Sequence, residues 1–201
     1  PPHPPPQRRS RTHQLPEALA PVLGFAASSG TGQTPLLEQV SPLLKTEGIR
    51  LARVNHSHHD FAMDKPGKDS YRLRKAGAQQ MLLASKYRAA WIMEGDGETE
   101  PDLFELLSRL DTASLDLVLV EGFRHQVFPK IEIHRPALNK PLLCLKDENI
   151  VALACDASVA EECTLPRLPM NDPGAVVDFI LGWLEAGEAG TPRNTTGPLN
   201  P

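Results

Sequence analysis

Short apolar runs alternate along this chain with segments whose apolar residues recur every three or four positions. That alternation restricts the fold more than any other feature. VLGFAA (22–27), IRLARVN (49–55), QQMLLAS (79–85), RAAWIME (88–94), LDLVLVEGF (115–123), KIEIHR (130–135) and IVALACD (150–156) read as strands. Between them, Leu36, Leu37, Val40, Leu43 and Leu44 follow helical spacing, as do Leu103, Phe104, Leu107 and Leu110. Val176, Val177, Ile180, Leu181 and Leu184 form a closing helix. DSYRLRKAGA (69–78) is a further helix with Asp69 or Ser70 as its cap. Strands interleaved with helices predict an α/β fold with a mostly parallel central sheet. KIEIHR alternates, which places it half-exposed or at a sheet edge, and IVALACD is expected as the last strand. Pro42 is expected to weaken the first helix near its end.

The folded part is expected over 21–186 as one domain. Residues 1–20 are proline-rich and basic, and are expected to be extended or disordered; 187–201 read as a flexible tail. With 40% hydrophobic residues the chain can form a sizeable core. A formal charge of −4 excludes a nucleic-acid binder held by a basic surface, so an anionic ligand needs a local site. Three cysteines without CxxC spacing fit reduced thiols in a cytoplasmic protein. The first residues carry no apolar signal core, and no apolar run is long enough to span a membrane.

The first strand runs into ASSGTGQTPLL (27–37), a small-residue loop opening a helix. Against the pattern G-x-x-x-x-G-K-[ST], Ala27 stands at the first glycine, Gly32 matches the second and Thr34 matches the hydroxyl residue. Gly30 and Gly32 allow the loop amides to converge on an anion, and the helix start adds its positive dipole. Thr34 is spaced to reach Mg²⁺. Two positions depart. Gln33 replaces the lysine, offering an amide dipole where a charged hydrogen bond would contribute about 1.5–3 kcal/mol against about 1. Pro35 removes an N–H that a phosphate would use. The loop alone is equally consistent with a simple turn before a helix.

NHSHHDFAMDKPGKDS (55–70) follows the second strand. His56, His58, His59 and Asp60 could ligate a metal, be solvated, or join phosphate and Mg²⁺ chemistry at the strand's C-terminal end. Lys65 and Lys68 stand beside a helix start and could offset the charge missing at Gln33. In LDLVLVEGF, four apolar residues run into Glu121, as in a Walker B strand; Glu121 would hold Mg²⁺ or a Mg²⁺-bound water near the loop, while a solvated strand end is the simpler alternative. NKPL (139–142) begins like a base-reading motif but lacks its aspartate. Asp156 could accept from a guanine edge.

These stretches, in this order, resemble the molybdopterin-guanine dinucleotide biosynthesis protein B (MobB) family across roughly 22–186. HSHHDFAMDKPGKDSYRLRKAGA, LDLVLVEGFRH, SGTG (29–32) and NDPGAVVDFILGW carry the resemblance. It implies a P-loop NTPase-like three-layer α/β sandwich, usually dimeric, that binds GTP with Mg²⁺ and hydrolyses it weakly. The implied role is an adaptor for the guanylyltransferase that joins GMP to molybdopterin, with molybdopterin itself a possible bound ligand. It assigns Ser29, Gly30, Thr31, Gly32, Gln33 and Thr34 to phosphate and Mg²⁺ binding, and Asp60 and Glu121 to Mg²⁺ or water. The family has lysine at Gln33 and Asn55 and a hydroxyl residue at Pro35, so turnover is expected to be impaired. A nucleotide-independent scaffold is the alternative. A small-metabolite kinase is disfavoured, because phosphoryl transfer depends most on the missing charge.

Overall fold

The computed structural model describes residues 20–28, 31, 33–57, 61, 63–65, 67–156 and 163–187. Apolar residues of β1 (Val22–Ala27) are buried on both faces, as expected of a strand deep in a parallel sheet. Its neighbours are β5 (Leu117–Glu121) and β6 (Lys130–His134), both parallel to it. The sheet extends through β2 (Leu51–Asn55) beyond β5, and through β7 (Ile150–Cys155) and β8 (Arg167–Pro169) beyond β6. The order is β2-β5-β1-β6-β7-β8, with every pairing parallel.

Helices cover both faces. Leu36, Leu37, Val40 and Leu44 of α1 (Gln33–Thr46) and Val176, Val177, Ile180 and Trp183 of α4 (Pro173–Glu185) pack with Leu23, Phe25, Ile131 and Ile133 on one side. Leu103 and Leu107 of α3 (Leu103–Leu107) pack with Val22, Val118, Val120 and Phe128 on the other. Full burial of each such side chain contributes about 1.5–3 kcal/mol. The result is the three-layer α/β sandwich anticipated from the alternation.

The chain falls into two compact units. One is built from the chain up to His56 and from Leu103 onward; the other is Ser57–Asp102. In the second, α2 (Asp69–Lys75) precedes an antiparallel hairpin of β3 (Gln80–Ala84) and β4 (Ala89–Met93). These two strands form their own sheet and do not join the parallel one. The α2 cap is Lys68, with no side-chain capping bond, so neither Asp69 nor Ser70 caps it.

Two further expectations are corrected. KIEIHR is no edge strand: β6 lies between β1 and β7 with all five residues buried. Its alternation persists because the polar residues have partners inside. The Lys130 ammonium is 3.0 Å from Asp147 and 4.7 Å from the Phe128 ring centre, and Glu132 accepts from the Leu143 and Cys144 amides at 2.8 Å each. IVALACD is not the last strand, since β8 follows at the edge; three residues ending in proline leave no periodic signal. Pro42 lies inside α1, which continues to Thr46. Around it the Ser41 hydroxyl donates to the Leu37 carbonyl and the Thr46 hydroxyl to the Pro42 carbonyl. Among the described residues no helix is long and apolar enough to cross a membrane.

Candidate functional site

The C-terminal ends of β1, β5 and β2 lie side by side, and α1 begins just beyond β1. In open parallel sheets ligands bind at this edge, where connections from neighbouring strands diverge. Three of the expected site residues meet here. The Thr34 hydroxyl donates to Glu121 Oε1 at 2.8 Å, spanning 87 positions of sequence. The His56 amide donates to the Glu121 carbonyl at 2.9 Å, extending the β2–β5 ladder by one residue.

Gly122 and Phe123 make the turn that ends β5, with φ of +88° and +51°. A Cβ on Gly122 would lie 2.7 Å from His56 Cβ, so the close approach of the two strand ends requires glycine there. The turn stacks the Phe123 ring on the His56 imidazole, centroids 4.7 Å apart. Phe123 and Phe128 are buried, so their apolar surface belongs to the interior.

The loop itself is held from both sides. Gln33 Nε2 donates to the Phe25 carbonyl at 2.8 Å, tying the first residue of α1 back to β1. Arg135 Nε donates to the Thr31 carbonyl at 2.6 Å, and another of its nitrogens lies 3.3 Å from Asp156 Oδ2. The Thr31 amide donates to the Ser28 carbonyl. Its hydroxyl is buried and has no hydrogen-bond partner among the described residues.

Sequence reasoning missed two residues. Arg53 of β2 lies 3.3 Å from Glu121 Oε2, so one carboxylate carries both the Thr34 hydroxyl and a guanidinium. Arg135 closes the opposite flank. The available signal was a cation in a strand run (IRLARVN) and another at a strand's C-terminal end (KIEIHR). Ser29, Gly30, Gly32, His58, His59 and Asp60 lie outside the described residues. Lys65 and Lys68 belong to the second unit, whose buried Asp64 pairs with Arg74 at 2.8 Å. The Arg74 hydrogen bond holds the Asp64 carboxyl below its ordinary value. Among the described residues no three His, Cys, Asp or Glu side chains converge on a metal position. Asn139 of NKPL is the left-handed cap of a single helical turn, a structural position.

Thr34 and Glu121 fit a hydrated magnesium ion. Both offer hard oxygen atoms, and Mg²⁺ commonly takes only one or two protein ligands beside water and phosphate. A central strand feeding a small-residue loop and helix, with an acidic residue ending the adjacent parallel strand, defines a P-loop NTPase-like α/β protein.

Comparison with known proteins refines that class. Residues 22–156 match the family described as MobB, molybdopterin guanine dinucleotide synthesis protein B. The molybdopterin-guanine dinucleotide biosynthesis adapter protein of Escherichia coli (strain K12) is 44% identical over 170 residues, covering 84% of this chain and 96% of that protein. The protein of the same name from Haemophilus influenzae (strain ATCC 51907 / DSM 11121 / KW20 / Rd) is 39% identical over 164 residues, covering 82% and 89%. A crystal structure of molybdopterin-guanine biosynthesis protein B superposes with a TM-score of 0.64 at 25% identity, covering 82% of this chain and 99% of the other. The chain belongs to the MobB family.

Proposed function

We propose that this protein is a GTP-binding adaptor in molybdopterin guanine dinucleotide biosynthesis, assisting the guanylyltransferase that joins GMP to molybdopterin. The adapter names of its relatives support the role. The observation that carries nucleotide binding is the Thr34–Glu121 hydrogen bond, which joins the start of α1 to the end of β5. It marks a hydroxyl and a carboxylate at a helix start, the donor set for magnesium beside a phosphate chain. Bound Mg²⁺ would neutralise phosphate charge there; Thr34 and Glu121 would hold it. Hydrolysis is weak on this reading, because Gln33 brings no charge and its amide is already bonded to β1.

A homodimer is part of the proposal. Among the described residues of Ser57–Asp102, Asp64 is the one buried side chain, and no apolar residue there is buried. Leu82 is 71% exposed and Trp91 38%. An isolated two-stranded hairpin is marginal in water, so this unit needs a covering surface.

The decisive experiment is thermal unfolding of the full chain with GTP or GDP and Mg²⁺. Ligand at one hundred times its dissociation constant should stabilise the protein by about 2.7 kcal/mol. No shift at millimolar nucleotide would favour the second reading, a nucleotide-independent scaffold for molybdopterin or the transferase. The engagement of Gln33 with Phe25 and of Glu121 with Arg53 is what favours that alternative.

A further inference from the structure

The proposed site has a deficit. A P-loop lysine reaches the β- and γ-phosphates, and here Gln33 stands in its place with its amide turned back to the Phe25 carbonyl. Two arginines are bonded to residues at the loop's flanks, and they differ in how firmly they are held. Arg135 donates at 2.6 Å to the Thr31 carbonyl and also meets Asp156, so it is committed to the loop's shape. Among the described residues Arg53 makes one contact, at 3.3 Å, with Glu121 Oε2. By comparison Arg50 grips Asp116 with two side-chain bonds of 2.9 and 2.8 Å. The Arg53 side chain is also 34% exposed, leaving it room to turn.

Its direction is settled by the strand. Ala52 and Val54 pack into the cluster that contains α3, whereas Leu51 packs into the one that contains α1. Arg53 alternates with Ala52 and Val54, so it leaves the sheet on the α1 side. There it shares Glu121 with Thr34, the hydroxyl that would help hold magnesium.

Resting on the nucleotide-binding reading above, we propose that Arg53 is the ligand of the terminal phosphate, supplying from β2 the charge that position 33 lacks. Glu121 holds the guanidinium beside the site until a triphosphate competes for it. A guanidinium donates two parallel hydrogen bonds to phosphate oxygens, a stronger match than its single bond to Glu121. The exchange leaves Glu121 and the Thr34 hydroxyl to magnesium and its water. Because the group acts at the last phosphate, it makes the site discriminate triphosphate from diphosphate.

The test measures dissociation constants of a non-hydrolysable GTP analogue and of GDP, with Mg²⁺, for the full chain and for Arg53→Met, Arg53→Lys and Arg53→Met with Gln33→Lys. Arg53→Met should weaken the triphosphate about tenfold while leaving GDP within about threefold. Arg53→Lys should recover part of the loss, and Gln33→Lys in the Met background should recover most of it. A role limited to neutralising Glu121 would weaken both nucleotides alike, or lower the melting temperature with an unchanged ratio; either outcome overturns the proposal. If the parent chain binds neither nucleotide, the functional reading falls with it. If the parent binds both and Arg53→Met keeps their ratio, only the assignment of Arg53 falls. Should Arg53→Met fail to fold, the ratio in Arg53→Lys decides: unchanged selectivity with unchanged triphosphate affinity overturns it.

Discussion

At the scale of single residues, the protein buries Lys130 and Glu132 in an interior strand and gives both a partner. Lys130 and Glu132 are each 1% exposed, and both are satisfied by the segment between β6 and β7. Breaking one member of such a pair strands the other, which is why an alternating strand here is no sign of a solvent face. Gly122 shows the same economy of space at the site. Its φ of +88° and the 2.7 Å approach to His56 both exclude a side chain. Gly122→Ala should therefore cost about 2–4 kcal/mol, through left-handed strain and overlap together. Urea unfolding would show it as a lower midpoint at unchanged slope. The glycine itself stands next to Glu121 in the sequence, where it leaves room. What fills that room, the His56 side chain, was not legible there, because the contact joins two strands far apart in the chain.

Elements are joined at their starts as well as at the site. The Arg50 backbone and guanidinium both bond Asp116, fixing the register of β2 against β5 and thereby setting Arg53 beside Glu121. The Arg50 hydrogen bond holds the Asp116 carboxyl down at about 2, against an ordinary 3.8. A carboxyl depressed on folding stabilises the native state above its unfolded value, and that stabilisation disappears as pH falls through the folded one. Asp116→Asn should thus be less stable than the parent above pH about 5, with the gap closing as pH approaches about 2. Denaturation midpoints across that range check it; a gap independent of pH would exclude the ion pair as its source. The strand and helix identities were readable from periodicity. The short β8 was not, since three residues with a terminal proline carry no period.

For the whole molecule, the two units differ in what they can do alone. The sheet-bearing unit owns a core on each face. Ser57–Asp102 buries no apolar side chain among its described residues, and its hairpin carries Leu82, Leu83, Trp91 and Met93 in the open. Sedimentation of the full chain should give twice the 22.0 kDa chain mass. Leu82→Lys with Trp91→Lys should shift that equilibrium toward monomer, because charge on an apolar interface face opposes association. A parent chain that stays monomeric at high micromolar concentration would remove the dimer from the proposal.

The sequence by itself determined the fold class, the order of the helices and of every strand but β8, and membership in the MobB family. Those properties are local: side-chain period, turn chemistry and short motifs are written in neighbouring residues. The tertiary structure decided which strands are interior, that Gln33 faces β1, and that Arg53 and Arg135 flank the loop. The strand order and the arginine positions depend on register between segments separated by tens of residues, and only packing of the complete sheet sets it.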